Sequence, residues 1–425
     1  MSLVSKLEKI LKHSVVKNMS SLALIQVGNY IIPLLIIPYI SRIVGLENFG
    51  KLEYARTLVA YFTVFIDYGF NITATRAISL NRDNREKINS IVSRTFTAKL
   101  ILLFISTFVF WLMLRMENGF EDISFLLWAT FIFNFGQFLF PIWYYQGIEK
   151  IASISFINFF IKLGILLGVI LLLKTKDQYW IYNLLISLAH VLFGLISVYI
   201  LFKKYRVHLV KFKLKELLDV FKSGFSIFFS TILVAIFVTY SFILLKEYGT
   251  EAEVGEYSTA NKLVMTIRVL IMLPFSQAFF PYIAKIASED IQKFKQQLRR
   301  VTIFLFSITL GVTLFTLAFS NWIVSIIFGE EFLSSVDVLQ ILVFLPIFST
   351  LTNIFAYQGL LSLKQDKTFL VIHIVFTILI IITSYLLVPH YGVVGVAYIR
   401  VVSEALLMFS ALFFLIRYLS KTNES

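Results

Sequence analysis

Cysteine is missing altogether, so neither a disulfide nor a thiolate-held metal takes part in this protein. Charge is scarce as well. Only 15% of the 425 residues are Asp, Glu, Lys or Arg, against about a quarter in soluble domains. No Gly-Lys-Ser/Thr phosphate loop occurs, and no His-Glu-x-x-His, which excludes ATP hydrolysis and zinc-protease chemistry in this chain. No long polar stretch exists to fold an inserted catalytic domain. The reading is therefore of a non-enzyme with no catalytic residues, no metal site and no cofactor. The basic, amphipathic start MSLVSKLEKILKHSVVK has no small-residue cleavage site after it, so no cleaved signal peptide is expected.

Apolar residues are what the chain has in abundance. They make up 58% of it, and the mean hydropathy is +0.84. Apolar runs of about 18 residues or more recur from end to end, the pattern of an all-α, polytopic membrane protein. An outer-membrane barrel shows short alternating segments instead. The pattern predicts twelve transmembrane helices at roughly 19–41, 52–75, 95–114, 123–146, 152–173, 179–202, 221–245, 258–283, 301–319, 335–361, 368–388 and 393–417.

The net charge of +13 is not spread evenly. Lys and Arg crowd the N-terminus (Lys6, Lys9, Lys12, Lys17) and the loops 76–99, 203–222 and 285–300, where Arg82, Arg85, Lys99, Arg206 and Lys213 are examples. The alternate loops are poor in cations and carry Glu247, Glu251, Glu253 and Glu330. Basic loops stay cytoplasmic, so both termini are expected there. The excess thus reports topology or contact with anionic headgroups of membrane lipids, and no nucleic acid partner is expected.

The chain repeats itself. Gly50–Leu58 (GKLEYARTL) aligns with Gly255–Leu263 (GEYSTANKL), and Ile142–Gly147 (IWYYQG) with Ile354–Gly359 (IFAYQG). Six spans separate each pair. This even number keeps the sense across the membrane and predicts two parallel six-helix bundles. The expected lobes are 1–210 and 211–425, with a cleft between them.

The stretch from Pro33 to Arg76 carries two charges at membrane depth, Arg56 and Asp67, where a charge needs a cavity or a partner. They stand eleven residues apart on one helical face, about 16 Å along the axis, too far to pair directly. Counting Lys162, Lys262, Arg268, Arg400 and Glu404, intramembrane cations outnumber anions. Arg56 and Arg268, without opposite charge nearby in their own helices, read as lining a cationic cavity for an anionic headgroup. Lys162 and Lys262 either line it or reach a partner or the interface. Arg400 and Glu404, spaced i,i+4, form a structural pair or face the cavity. Asp67 either binds a coupling cation or proton, or pairs with a cation on another helix. Gln26 and Asn29 add a polar stripe to the first helix. Pro33, Pro38 and Pro274 free backbone carbonyls and are hinge candidates. His190 and His373, alone in apolar spans, read as hydrogen-bonded core residues.

Particular motifs carry a resemblance. PYISRIVG (Pro38–Gly45), Phe49-Gly50, Ala55-Arg56, DYGF (Asp67–Phe70), ATRAI (Ala74–Ile78) and PIWYYQG (Pro141–Gly147) resemble the polysaccharide transporter branch of the multidrug/oligosaccharidyl-lipid/polysaccharide (MOP) superfamily. The O-antigen or capsule repeat-unit flippases, of the Wzx type, are the best match. The resemblance implies a V-shaped, alternating-access fold like that of the MATE transporters. It implies translocation of undecaprenyl-diphosphate-linked oligosaccharide from the cytoplasmic to the periplasmic leaflet of the bacterial inner membrane. Arg56, Lys262 and Arg268 fit the family's cationic lumen, and Asp67 or Glu404 would couple H+ or Na+. Polymerase and chain-length proteins of the same pathway would be partners. Two other classes compete. A cation-coupled multidrug exporter would line its cavity with acids. A membrane polymerase or acyltransferase would need a sizeable outer loop.

Overall fold

The computed structural model describes residues 36–116 and 119–424, and among them the regular structure is helical. The helices coincide with the apolar runs, because a backbone in hydrocarbon must satisfy its own amides. Among the described residues, eight segments are long and apolar enough to cross a membrane: Arg85–Met116, Glu121–Gly147, Ile154–Leu172, Lys176–Lys203, Leu214–Ile236, Ile291–Ala318, Ser335–Leu361 and Asp366–Ser420. The last is 55 residues long, about 80 Å of helix and more than two bilayer cores. It breaks at Gly392, where φ is 52° and ψ −142°, so it supplies two spans. With the helical residues 36–67 and the helix Glu251–Glu289, the elements are consistent with the expected twelve.

Glycine sets the direction at two further places. Gly45 has a φ of 75°, which an α-helix cannot continue, so helical residues 36–67 change course there. The second span then ends earlier than expected. Tyr68 and Gly69 adopt left-handed φ values of 44° and 76°, and a short helix, Phe70–Ser79, follows. Pro141 and the extended Phe140 before it interrupt the fourth span between Phe133–Leu139 and Ile142–Gly147. Pro346 opens the helix Leu345–Thr352 at its first turn, where a missing amide costs nothing. The helix Glu251–Glu289 starts with a capping box, in which Thr250 and Glu253 satisfy each other's backbone amides.

The chain divides into two compact units. One comprises Met1–Val44, described from Ile36, with Ala55–Ala235; the other comprises Gly45–Tyr54 with Ile236–Ser425. In the first, Trp143, Tyr145, Ile78, Val92 and Leu201 form a buried core. In the second, Phe294, Ile354, Leu360 and Ala411 do so. Several hydroxyl residues inside the helices turn their protons back onto carbonyls four residues earlier. Thr95 donates to Ile91 O at 2.8 Å, and Thr309 to Leu305 O at 2.8 Å. These hydroxyls can pack between helices with their protons satisfied. Large apolar residues such as Phe104, Leu171 and Phe304 face outward, as lipid requires.

Candidate functional site

In the first unit the intramembrane polar residues gather around Asp67. This residue is the last but one before the left-handed turn at Gly69. Lys99 donates to its Oδ1 at 3.0 Å. Gln137 donates to its Oδ2 at 2.7 Å, and Asn71 to the same oxygen at 3.2 Å. The Lys99 ammonium also donates to Gln137 O at 2.8 Å. Gln137 Oε1 lies 3.0 Å from His190 Nε2, and Phe133 stacks on the imidazole at 4.1 Å between centroids. Lys99 is completely buried. A lysine without water is tolerable only with its charge matched and its protons shared, and Asp67 with Gln137 does both. One turn before Asp67, Thr63 donates to Asn134 Oδ1 at 2.7 Å. Asn134 Nδ2 and Asn71 Oδ1 are buried without a hydrogen-bond partner among the described residues.

Asp67 thus pairs with a cation on another helix, the second of the two readings above. Lys99 is the partner that loop counting hides. By charge it belongs to the basic stretch 76–99, yet it also falls in the expected span 95–114, and it lies inside the helix Arg85–Met116. The signal was available. Ile88, Val92, Thr95, Lys99, Leu102, Ser106 and Phe110 are all buried, and their spacing of three or four puts Lys99 in phase with the inward stripe. Gln137 and Asn134 carried no such signal, because a neutral amide in an apolar run is not exceptional.

None of the hydrogen bonds of that cluster involves Arg56, Lys162 or Pro38. Arg56 holds its guanidinium 5.8 Å from the centre of the Tyr182 ring, a cation–π distance. Lys162 is half-buried in the helix Ile151–Leu172. Pro38 lies in the helical stretch before Gly45, and Ser41 donates to its carbonyl at 3.3 Å. Gln26, Asn29 and Pro33 lie outside the described residues.

In the second unit, Lys262 forms an ion pair with Glu53 at 2.9 Å and stands 5.6 Å over the Phe49 ring. Phe49 is itself wedged edge-on against Phe328 and Phe332. Glu53 lies at the start of the expected span 52–75 and is not among the charges read at membrane depth. Arg400 and Glu404, both buried, approach to 3.9 Å. His373 lies 2.8 Å from the Phe369 carbonyl through Nδ1. Arg268 is half-buried in the helix Glu251–Glu289, which also runs through position 274, with no ion pair or hydrogen bond among the described residues. No cluster of three or more His, Asp or Glu that would hold a metal is found among the described residues.

Known proteins place these features in a family. A family model described as "Polysaccharide biosynthesis protein" matches residues 15–287. The chain is 26% identical over 395 residues to a putative O-antigen transporter of Escherichia coli K12, covering 93% of this chain and 95% of that one. It is 24% identical over 419 residues to the capsular polysaccharide biosynthesis protein CapF of Staphylococcus aureus, covering 94% and 98%. Its fold superposes on an inward-facing MATE-family multidrug resistance transporter of the MOP superfamily with a TM-score of 0.70, at 15% identity, covering 93% of this chain and 99% of that one. The lipid II flippase MurJ, in an inward closed conformation, gives 0.64 at 16% identity, covering 90% and 87%. On this evidence, the chain belongs to the polysaccharide biosynthesis protein family and is a multi-pass membrane protein with a MATE- and MurJ-like all-α fold.

Proposed function

We propose that this protein is a lipid-linked oligosaccharide flippase. It moves undecaprenyl-diphosphate-linked repeat units of an O-antigen or capsule to the periplasmic leaflet of the bacterial inner membrane. The near-full-length likeness to O-antigen transporters carries this reading. Moving a diphosphate and several sugars through about 30 Å of hydrocarbon is prohibitive without a polar path. Arg56, Lys162, Lys262 and Arg268, with Gln26 and Asn29, are the groups proposed to offer that path, while the polyprenyl tail stays in lipid. Arg268 supports the idea most directly, because a half-buried guanidinium with no carboxylate within ion-pair reach among the described residues suits an anionic headgroup.

Alternating access would bend the helices at Pro33, Pro38 and Pro274. Asp67 and Glu404 are the candidates for coupling to H+ or Na+. Asp67 holds the buried Lys99 at 3.0 Å, which ties this candidate to the packing of two helices. The protein performs no covalent chemistry on its substrate and hands it to the polymerase and chain-length proteins.

Deleting the gene tests the reading. Surface polysaccharide should vanish and lipid-linked repeat units accumulate in the cytoplasmic leaflet, with drug susceptibility unchanged. Altered drug susceptibility with normal polysaccharide would favour an exporter instead. Lengthening or acylation of a lipid-linked glycan by the purified protein would make it an enzyme.

A further inference from the structure

Four cations line one small cavity on the first unit, and none of them is among the residues assigned to transport. The cavity holds about 250 Å³ and is bordered by Arg82, Arg85, Lys150 and Arg206. Its walls include Tyr144 and Val207, each 3% exposed. It sits where the apolar segments Arg85–Met116, Glu121–Gly147 and Lys176–Lys203 have their basic ends, the side expected to be cytoplasmic.

The cavity is built, not incidental. Arg82 is fixed by three hydrogen bonds, from Nε to Gly147 O at 2.7 Å and from Nη2 to Ser79 Oγ at 3.1 Å and Glu149 Oε1 at 2.7 Å. Glu149 therefore cancels one positive charge. Arg85, Lys150 and Arg206 have no ion pair among the described residues. Asn89, also in the lining, accepts from the His208 amide at 3.0 Å and ties the 203–213 connection to the start of the Arg85 helix. Two non-glycine residues at the cavity, Glu149 and Arg206, are held in left-handed backbone with φ of 57° and 52°. Such strain survives where the surroundings impose it, and here it holds cations of two separate loops at one opening.

Three unmatched cations around a half-open space repel each other, and a multivalent anion removes that repulsion. Arg forks fit phosphate oxygens, and the aromatic and aliphatic walls suit an esterified group beside them. We propose that this cavity is a phosphate-binding site, filled by the phosphate of an anionic phospholipid in the cytoplasmic leaflet or by soluble phosphate. It is independent of the transport reading and of the residues assigned to it.

The full-length protein in lipid nanodiscs tests this by hydrogen–deuterium exchange of residues 85–89 and 205–208. One arm adds inorganic phosphate, at constant ionic strength, to nanodiscs of pure phosphatidylcholine. The other compares these with nanodiscs containing phosphatidylglycerol and no added phosphate. Protection in the first arm identifies a soluble ligand, and protection confined to the second identifies a lipid headgroup. Arg85→Gln with Arg206→Asn, the asparagine chosen because it tolerates left-handed backbone, should abolish the protection or raise the half-saturating concentration about tenfold or more. Lys211→Gln with Lys213→Gln removes the same charge outside the cavity and should leave the protection in place. No protection in either arm, or equal loss in both double variants, would overturn the proposal.

Discussion

Gly50 and Gly255 pack backbone against backbone in the second unit. A Cβ placed on Gly50 would stand 2.8 Å from the Gly255 amide nitrogen and closer still to the Glu251 carbonyl oxygen. One on Gly255 would strike the Leu46 carbonyl oxygen. These are the two glycines that open the repeated motif GKLEYARTL and GEYSTANKL. Their lack of side chains lets two helices cross at backbone distance.

Replacing either glycine should therefore destabilise the protein even though alanine is the better helix former. Overpacking costs about 1–3 kcal/mol, against a propensity gain of about 1 kcal/mol. Gly50→Ala should lower the thermal midpoint of the purified protein. Gly311→Ala, where an added Cβ meets nothing within 4 Å, should leave it unchanged or raise it. Equal effects at both positions would show that the close crossing is not what matters.

The buried pair of Lys99 and Asp67 makes a different prediction. Removing one partner strands the other charge, at a cost of about 3–5 kcal/mol. Lys99→Met and Asp67→Asn should each reduce folded protein sharply. The double variant should recover much of the loss, because no uncompensated charge remains. Thermal midpoints of the three variants measure this. A double variant no better than the worse single one would mean that the pair is not the unit of stability.

Arg268 separates charge from structure. Arg268→Ala should abolish surface polysaccharide with protein levels intact, whereas Arg268→Lys should retain part of the activity, since the ammonium keeps the charge and loses the fork. Arg56→Ala is expected to behave like Arg268→Ala. Complementation of a deletion strain, with membrane abundance measured in parallel, reads both. Full activity in the two alanine variants would remove the cationic path.

At the turn between Leu214–Tyr248 and Glu251–Glu289, Lys246 donates to Glu251 at 2.7 Å. That hydrogen bond holds the Glu251 carboxyl below its ordinary value, against the opposing effect of partial burial. A carboxylate depressed in the folded state stabilises above its unfolded value, about pH 4.3, and loses the contribution as the pH falls through the folded value. The pair is partly exposed, so the effect is about half a kcal/mol. The thermal midpoint of Glu251→Gln should lie slightly below that of the unaltered protein at pH 7. The gap should close by about pH 3. A gap that persists there would assign the effect to something other than the charge.

Much of this was legible in the residues. Apolar runs located the described spans, because the hydrocarbon thickness leaves few alternatives. Lys99 counts with a basic loop by its charge although it falls inside the expected span 95–114, and the helix that holds it runs from Arg85. The eleventh and twelfth spans were separable by hydropathy, but the reason they separate, the φ of 52° at Gly392, is visible only in the backbone.

The sequence by itself determined that the chain crosses a membrane many times, which loops are basic, and which residues sit uncomfortably at depth. Helical periodicity assigns a residue to a face, and a face is a local property. Which neighbour waits opposite that face is not local. Asp67 meets Lys99 from 32 positions away, and Lys262 meets Glu53 on a distant helix. Only the tertiary structure decided those partnerships, and with them which buried charges are matched.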